Sequence, residues 1–229
     1  MAYFLHIETT STICSVAISE NKTLLAIKEQ NNGYTHAENL HLFIEQTLNE
    51  AGIDLNQLNA VSVSKGPGSY TGLRIGHSSA KGLCYALNIP LIAIDTLQAL
   101  AHEAVEKQFF PINTLFCPMI DARRMEVYMA IYNQTLELTR QPEALIIESN
   151  VLPNIFEKQS SVCFFGDGME KCKALISADL PNSIFIESIL PSSKSLISLA
   201  YQKFTLKQFE DVAYSEPFYL KNVYFANKQ

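Results

Sequence analysis

The chain has 229 residues, of which 48% are hydrophobic and 17% are charged, and its formal net charge is -6. This composition is typical of a folded globular protein and excludes a disordered chain. The negative charge argues against a protein that binds nucleic acid unaided through a broad basic face. Five cysteines without a Cys-x-x-Cys pair predict reduced, buried thiols in a cytoplasmic protein. No segment approaches about eighteen consecutive apolar residues, so we expect neither secretion nor a membrane span.

The first half of the chain alternates apolar runs with segments of helical spacing. This pattern predicts three strands, then helix, strand, helix, strand and helix. The predicted strands are 3–7, 14–18, 23–27, 60–64 and 91–94, and the predicted helices are 35–51, 70–87 and 97–107.

The second half repeats this order of elements after a connection near residue 110. Its predicted strands are 115–120, 127–132, 144–147, 162–165 and 184–187, and its predicted helices are 151–158, 169–177 and 196–208. Glu8 and Asp121 each end the first strand of a half, and a Gly-x-Gly turn follows each fourth strand. Two such halves facing each other across a cleft resemble the actin-like ATPases and sugar kinases. We therefore expect an α/β protein of the actin-like ATPase (ASKHA, ribonuclease H-like) fold, with similar lobes at 1–110 and 111–229.

A glycine-rich turn, KGPGSYTGLRIG, occupies positions 65–76. Glycine tolerates positive φ and close backbone approach, and Ser69 or Thr71 can cap the helix that follows. Such a helix start is a natural anion site, although the run matches neither the Walker A nor the G-x-G-x-x-G pattern. Two interpretations stay open: the glycines serve packing, or Ser69, Thr71 and Arg74 contact an anion or a nucleotide.

The helix after this turn carries a strip of small residues on one side. Gly72 and Gly76 begin the strip, and Ser79 and Leu83 lie offset on the same side. Small side chains let another helix approach closely. The strip therefore predicts a close helix-packing surface.

The first helix, 35–51, has a second apolar stripe beside the one that should face the sheet. Its members are His36, Leu40, Phe43 and Thr47, at spacings of four, three and four. A helix packed only on its own domain has no use for Phe43 there, so the stripe predicts a partly apolar outer face for a partner helix. The alternative is a surface aromatic covered by the neighbouring helix.

The charged and histidine residues near the predicted cleft give only weak support for a nucleotide site or a metal site. His36 and His41 are five residues apart and point about 140° away from each other on a helix, which predicts no metal site. Glu8 and Thr10 stand where an actin-like ATPase would carry the Asp and Gly of Asp-x-Gly-Thr, which impairs close phosphate approach. Asp121 and Arg123 either form a solvated turn or line the cleft together with Glu8.

Four stretches together resemble the bacterial TsaB (YeaZ) family. They are IETTSTICSVA at 7–17, the glycine-rich turn at 65–76, IDARRMEVY at 120–128 and EPFYLK at 216–221. The resemblance spans essentially the whole chain, and the glycine-rich turn is its most specific part. Glu8, Met125 and Lys221 depart from residues that are common in the family.

The resemblance implies an actin-like fold and a place in the machinery that makes threonylcarbamoyladenosine beside the anticodon of tRNAs reading codons that begin with A. It implies a non-catalytic subunit that pairs with TsaD through its first two helices, with the ATPase TsaE joining the pair. A homodimer is expected in isolation, and tRNA is contacted only through the complex. The chain has no implied cofactor of its own, whereas ATP or ADP belongs to the complex.

Two other functions stay open from the residues. One is an actin-like ATPase or phosphotransferase that uses Glu8 and Asp121 across the cleft, or a metallopeptidase of the kind that older family names suggested. The other is a nucleotide-sensing module at Ser69–Arg74, which is compatible with a scaffold role.

Overall fold

The computed structural model describes residues 1–33, 35–107, 109–156 and 161–221. The first sheet has the strand order β3-β2-β1-β4-β5, in which β1 pairs antiparallel with β2 and parallel with β4. Its strands are β1 (Tyr3–Glu8), β2 (Cys14–Glu20), β3 (Thr23–Gln30), β4 (Leu58–Gly66) and β5 (Leu91–Asp95). The first half also contributes the helices α1 (His36–Ala51), α2 (Tyr70–Leu87) and α3 (Thr96–Lys107).

The second sheet has the order β10-β9-β6-β7-β8, which is the order of the first sheet read from its other edge. Its strands are β6 (Leu115–Asp121), β7 (Glu126–Tyr132), β8 (Leu138–Ile146), β9 (Val162–Phe165) and β10 (Ile184–Ile186). The helices of this half are α4 (Lys173–Asp179) and α5 (Ile197–Thr205). The predicted duplication of element order is therefore present in the sheets, and the predicted fold class is confirmed.

Two predictions for the second half were wrong in detail. The predicted helix at 151–158 is a 3-10 turn at Leu152–Asn154, and residues 157 and 158 lie outside the described residues. β8 begins at Leu138 rather than at 144. It is an edge strand in which no residue is fully buried, so its sequence lacks the apolar run of a buried strand.

The last helix of each half packs mainly on the other half's sheet. Leu97 and Leu100 of α3 join Phe116 and Ile120 in one hydrophobic cluster beside the second sheet. Leu199 of α5 lies in another cluster with side chains of β1, β4 and β5. Each sheet lies within one predicted lobe, whereas the helices cross between the lobes. The boundary between residues 110 and 111 stays a prediction.

The central strand β1 carries a polar side chain through the core. His6 is fully buried, and its two ring nitrogens lie 2.7 Å from Ser62 Oγ and 2.8 Å from Ser19 Oγ. Burial lowers the pKa of His6 from 6.5 to about 3, because the charged imidazolium would lose its hydration. His6 is therefore a neutral link between three strands.

All five cysteines are free thiols and buried, as the sequence predicted. Desolvation raises the pKa of Cys14 to about 11, which holds this thiol in its unreactive form. Within the described ranges, none of the helices has the length and apolar character needed to cross a bilayer.

Candidate functional site

A cleft of about 290 Å³ lies where loops of the two halves meet. The loop after β1 and the start of α2 form one wall, and the turn after β6 and Asp167 after β9 form the other. The C-terminal stretch 218–221 also lines it. In an open α/β sheet, the ends of neighbouring strands create such a crevice, and ligands usually bind there. This cleft is the candidate functional site.

The glycine-rich turn is packed tightly against the loop after β1. The Ser69 amide donates a 2.7 Å hydrogen bond to the Thr10 carbonyl oxygen, and the Ser69 side chain caps α2 by accepting from the Gly72 amide. A Cβ built on Gly68 would lie 2.6 Å from the Thr10 Cβ. Because Thr10 already occupies the space over the turn, little room is left for a phosphate between these two loops.

Gly72 and Gly76 accommodate Thr9 of the same chain rather than a partner helix. A Cβ on Gly72 would overlap the Thr9 carbonyl oxygen, and a Cβ on Gly76 would overlap Thr9 Oγ1. Thr9 Oγ1 also donates a 2.8 Å hydrogen bond to the Gly72 carbonyl oxygen. The prediction that these two glycines open a surface for another helix was therefore wrong.

Glu8 lies behind the wall of the cleft. Its Oε1 accepts hydrogen bonds from the Thr10 amide at 2.6 Å and from Thr10 Oγ1 at 2.5 Å, and its Oε2 accepts from Ser64 Oγ. Only 1% of Glu8 is exposed, and this burial raises the pKa of its carboxyl. The prediction that Glu8 lines the cleft was wrong, because the side chain of Thr10 takes that place.

Asp121 and Arg123 line the opposite wall. Asp121 is paired with Lys171, and its Oδ1 accepts a 2.8 Å hydrogen bond from the Arg123 amide in a turn where Arg123 has φ +70°. The Asp121 amide donates to Asp167 Oδ1 at 3.1 Å. Burial, aided by the charge of Asp121, raises the pKa of Asp167 from 3.8 to about 6. Among the residues that the structure describes, no three His, Cys, Asp or Glu side chains are grouped as a metal site.

The predicted outer stripe of α1 is buried inside the chain. His36, Leu40 and Thr47 are at most 1% exposed and Phe43 is 9% exposed. His36 Nε2 lies 2.9 Å from the Ser11 carbonyl oxygen, which fixes the start of α1 to the loop after β1. Phe43 lies in the core cluster against which Ile75 and Leu83 of α2 pack, so the neighbouring helix covers it. The prediction of an open apolar face at these four residues was wrong.

The accessible surface of the α1–α2 layer lies on α2, next to the side of α2 that covers Phe43. Ser79 and Leu83 are half-buried, and Gly82 and Ala86 are exposed. Apart from the adjoining backbone of α2 itself and the two residues next to Gly82, none of the described residues has an atom within 4 Å of a Cβ built on Gly82. Sequence reasoning missed Gly82 and Ala86, although they continue the spacing of small residues from Ser79 by three and seven positions.

The three residues predicted to contact an anion are not brought together. Ser69 and Thr71 line the cleft. Arg74 lies outside it, with its guanidinium carbon 4.2 Å from the centre of the Tyr70 ring and its Nε donating to Tyr219 Oη at 3.3 Å. Sequence reasoning also missed the cleft wall at 218–221. The signal was present, since this stretch is one of the four that carry the family resemblance.

Comparison with known proteins identifies the family. A family model described as "TsaD: tRNA N6-adenosine threonylcarbamoyltransferase" matches residues 29–221. The tRNA threonylcarbamoyladenosine biosynthesis protein TsaB of Haemophilus influenzae is 30% identical over 95% of this chain and 93% of its own length.

Solved structures agree with this match. YeaZ from Pseudomonas aeruginosa superposes with a TM-score of 0.78 at 26% identity, covering 96% of this chain and 100% of that one. A Bacteroides thetaiotaomicron protein with an actin-like ATPase fold gives a TM-score of 0.51 at 10% identity over 86% of this chain and 95% of that one, which bears on the fold alone. The chain belongs to the TsaB (YeaZ) family.

Proposed function

We propose that the chain acts in tRNA threonylcarbamoyladenosine biosynthesis as a non-catalytic subunit that pairs with TsaD. TsaE joins the pair, and tRNA is contacted through the complex. Family membership supports the pathway, since the matching Haemophilus influenzae relative is named for it. The match to the TsaD family model over 29–221 supports pairing between two chains of related fold.

The state of Glu8 is the observation that carries the non-catalytic role. A residue that binds magnesium or activates a nucleophile must present its carboxylate to the ligand. The carboxyl oxygens of Glu8 instead accept hydrogen bonds from Thr10 and Ser64 beneath the surface of the cleft. Burial raises the pKa of this carboxyl and so favours its neutral form. This arrangement argues against the alternative of an independent ATPase, phosphotransferase or metallopeptidase.

We propose that any ATP or ADP belongs to the complex rather than to this chain alone. Ser69 and Thr71 keep the start of α2 at the cleft, where a helix N-terminus favours negative charge. The Ser69 amide is already bonded to the Thr10 carbonyl oxygen and the Gly72 amide to the Ser69 side chain, so these two N–H groups at the start of α2 are not offered to phosphates by this chain alone.

The functional test uses cells depleted of this chain, with threonylcarbamoyladenosine in total tRNA measured by mass spectrometry of nucleosides. The wild-type chain is expected to restore the modification, and Glu8→Gln and Asp121→Asn are expected to restore it to a similar level. Loss of a catalytic carboxylate would slow the reaction by about 100-fold or more. Failure of a folded Asp121→Asn variant would therefore support the alternative enzyme, and failure of the wild type would exclude the pathway.

We propose that the pairing surface is the small-residue face of α2, formed by Ser79, Gly82, Leu83 and Ala86. Two of these residues were predicted from the sequence, and the exposed Gly82 lets a partner helix approach closely. The buried stripe at His36, Leu40, Phe43 and Thr47 supports this surface from below without touching the partner. The isolated chain is expected to form a weak homodimer through the same face.

Gly82→Arg tests the pairing surface with little risk to folding, because Gly82 is exposed and arginine favours the helix. The variant is expected to weaken binding to TsaD by about tenfold or more in calorimetry, since the long side chain keeps the helices apart. Gln202→Arg, at an exposed position of α5 on the opposite face of the first sheet, is the control and is expected to bind like the wild type. Equal affinities of the two variants would show that pairing uses another surface.

A further inference from the structure

The C-terminal stretch 211–221 forms a strap that runs from the outer side of α2 to the mouth of the cleft. It begins with a turn in which the Ser215 amide donates a 2.8 Å hydrogen bond to the Asp211 carbonyl oxygen. Near its other end, the Phe218 amide donates to the Lys65 carbonyl oxygen at 2.6 Å. The strap therefore continues from a surface helix to the end of β4, where the glycine-rich turn begins.

Two side chains of α2 hold the first part of the strap. Lys81 Nζ donates hydrogen bonds of 3.0 Å to the carbonyl oxygens of Ala213 and Ser215. His77 Nε2 lies 3.0 Å from Ser215 Oγ, and both residues are buried. Hydrogen bonds from a charged donor are about twice as strong as neutral ones, so Lys81 is the main anchor.

The second part of the strap reaches both walls of the cleft. The Tyr219 ring lies 5.0 Å from the Tyr70 ring at the start of α2. Lys221 is paired with Glu126 at the start of β7 in the second sheet. The strap thus spans the cleft mouth from one half of the molecule to the other.

The strap is also a wall shared by two cavities. The cleft lies on one side, and on the other lies a groove of about 360 Å³ lined by Arg74, Ser78 and Lys81 of α2 and by strap residues. Tyr219 lines both cavities, with its ring against Tyr70 and its hydroxyl accepting from Arg74. A displacement of Tyr219 must therefore change the two cavities together.

We propose that the strap is a conformational device that couples the outer groove of α2 to the cleft. In the seated state Lys81 and Arg74 hold the strap, and Tyr219 closes one side of the cleft. An anionic ligand that binds Lys81 and Arg74 in the outer groove replaces their contacts with the strap, releases it and opens that side of the cleft. Because coupling between two sites is reciprocal, a ligand that fills the cleft with the strap seated also disfavours binding in the groove. This inference goes beyond the proposed function and holds for the isolated chain.

Hydrogen exchange followed by mass spectrometry on the full chain tests the coupling. Lys81→Met removes the two hydrogen bonds to the strap while keeping most of the apolar stem. Exchange of the amides in 211–221 is expected to become about tenfold faster, because local opening sets the exchange rate of such segments. The amides of 66–72, in the cleft wall, are expected to accelerate with them. Lys28→Met, which removes a surface ion pair between the edge strand β3 and Glu50 of α1, is the control and should change neither segment.

Faster exchange in 211–221 with unchanged exchange in 66–72 would overturn the coupling, and unchanged exchange in both would overturn the role of Lys81. The amides of β1 report global loosening. If exchange of the β1 amides also becomes faster in Lys81→Met, the Ser215→Ala variant is used to test the coupling instead, since it removes only the contact between the strap and His77. The proposal then requires this variant to accelerate both segments and to leave β1 unchanged. These outcomes do not depend on TsaD, so failure here is distinguishable from failure of the proposed function.

Discussion

Gly72→Ala is expected to lower the free energy of unfolding by roughly 3 kcal/mol, the upper part of the range for overpacking a well-packed site. The added methyl group would overlap the Thr9 carbonyl oxygen, which is backbone and cannot move aside as a side chain can. The loop after β1 would be pushed away from α2, and the hydrogen bond from Thr9 Oγ1 to the Gly72 carbonyl oxygen would be lost. Urea unfolding measures the change.

Gly82→Ala is the matched control, with the same substitution in the same helix. Gly82 is exposed, and its Cβ would enter open space. Alanine is a better helix former than glycine, so this variant is expected to gain about 0.5–1 kcal/mol. The two substitutions should therefore have opposite signs. A Gly72→Ala variant as stable as the wild type would contradict the close packing of α2 on the loop after β1.

Acidification is expected to destabilise the protein through His6. The pKa of His6 is about 3 in the folded chain and 6.5 as its ordinary value, so the unfolded chain takes up the proton first. The stabilising effect is complete above pH 6.5 and is lost as the pH falls towards 3. Between pH 6.5 and 4.5 the expected loss through His6 is roughly 2 kcal/mol.

His6→Gln isolates this effect, since glutamine does not titrate and can still bond with a serine hydroxyl. We expect this variant to be less stable at pH 7 but to lose less stability on acidification, as measured by urea unfolding at several pH values. The comparison between variants is needed because Asp167 acts in the opposite direction. Its pKa is raised to about 6, so its contribution to stability falls as the pH rises from 3.8 through 6. Parallel pH profiles of wild type and variant would contradict a neutral, buried His6.

The arrangement of strands and helices was predictable because it rests on local patterns. The apolar runs of β1 and β4 and the helical spacing of α2 reflect burial that neighbouring residues in the sequence reveal. The repeated order of elements then indicated two similar sheets. β8 was predicted too short because it is an edge strand without buried residues, so its sequence has no apolar run that marks its start.

The functional surface was less predictable, because periodicity shows which face of a helix is buried but not what buries it. Phe43 was correctly placed on an apolar stripe, yet α2 of the same chain covers it. Gly72 and Gly76 were correctly identified as close-packing residues, yet their neighbour is Thr9. Glu8 was placed at the correct strand end, but its withdrawal behind Thr10 depends on contacts with β4. Each error involves at least one contact with a residue that is distant in sequence.

The crossing of α3 and α5 bears on how the two halves unfold. The last helix of each half packs mainly on the five-stranded sheet of the other half, and Ala99 of α3 also reaches the cluster beside its own sheet. Unfolding of either half would therefore uncover an apolar face of the other. Because neither sheet keeps its full apolar cover alone, the two halves are expected to unfold in one cooperative transition.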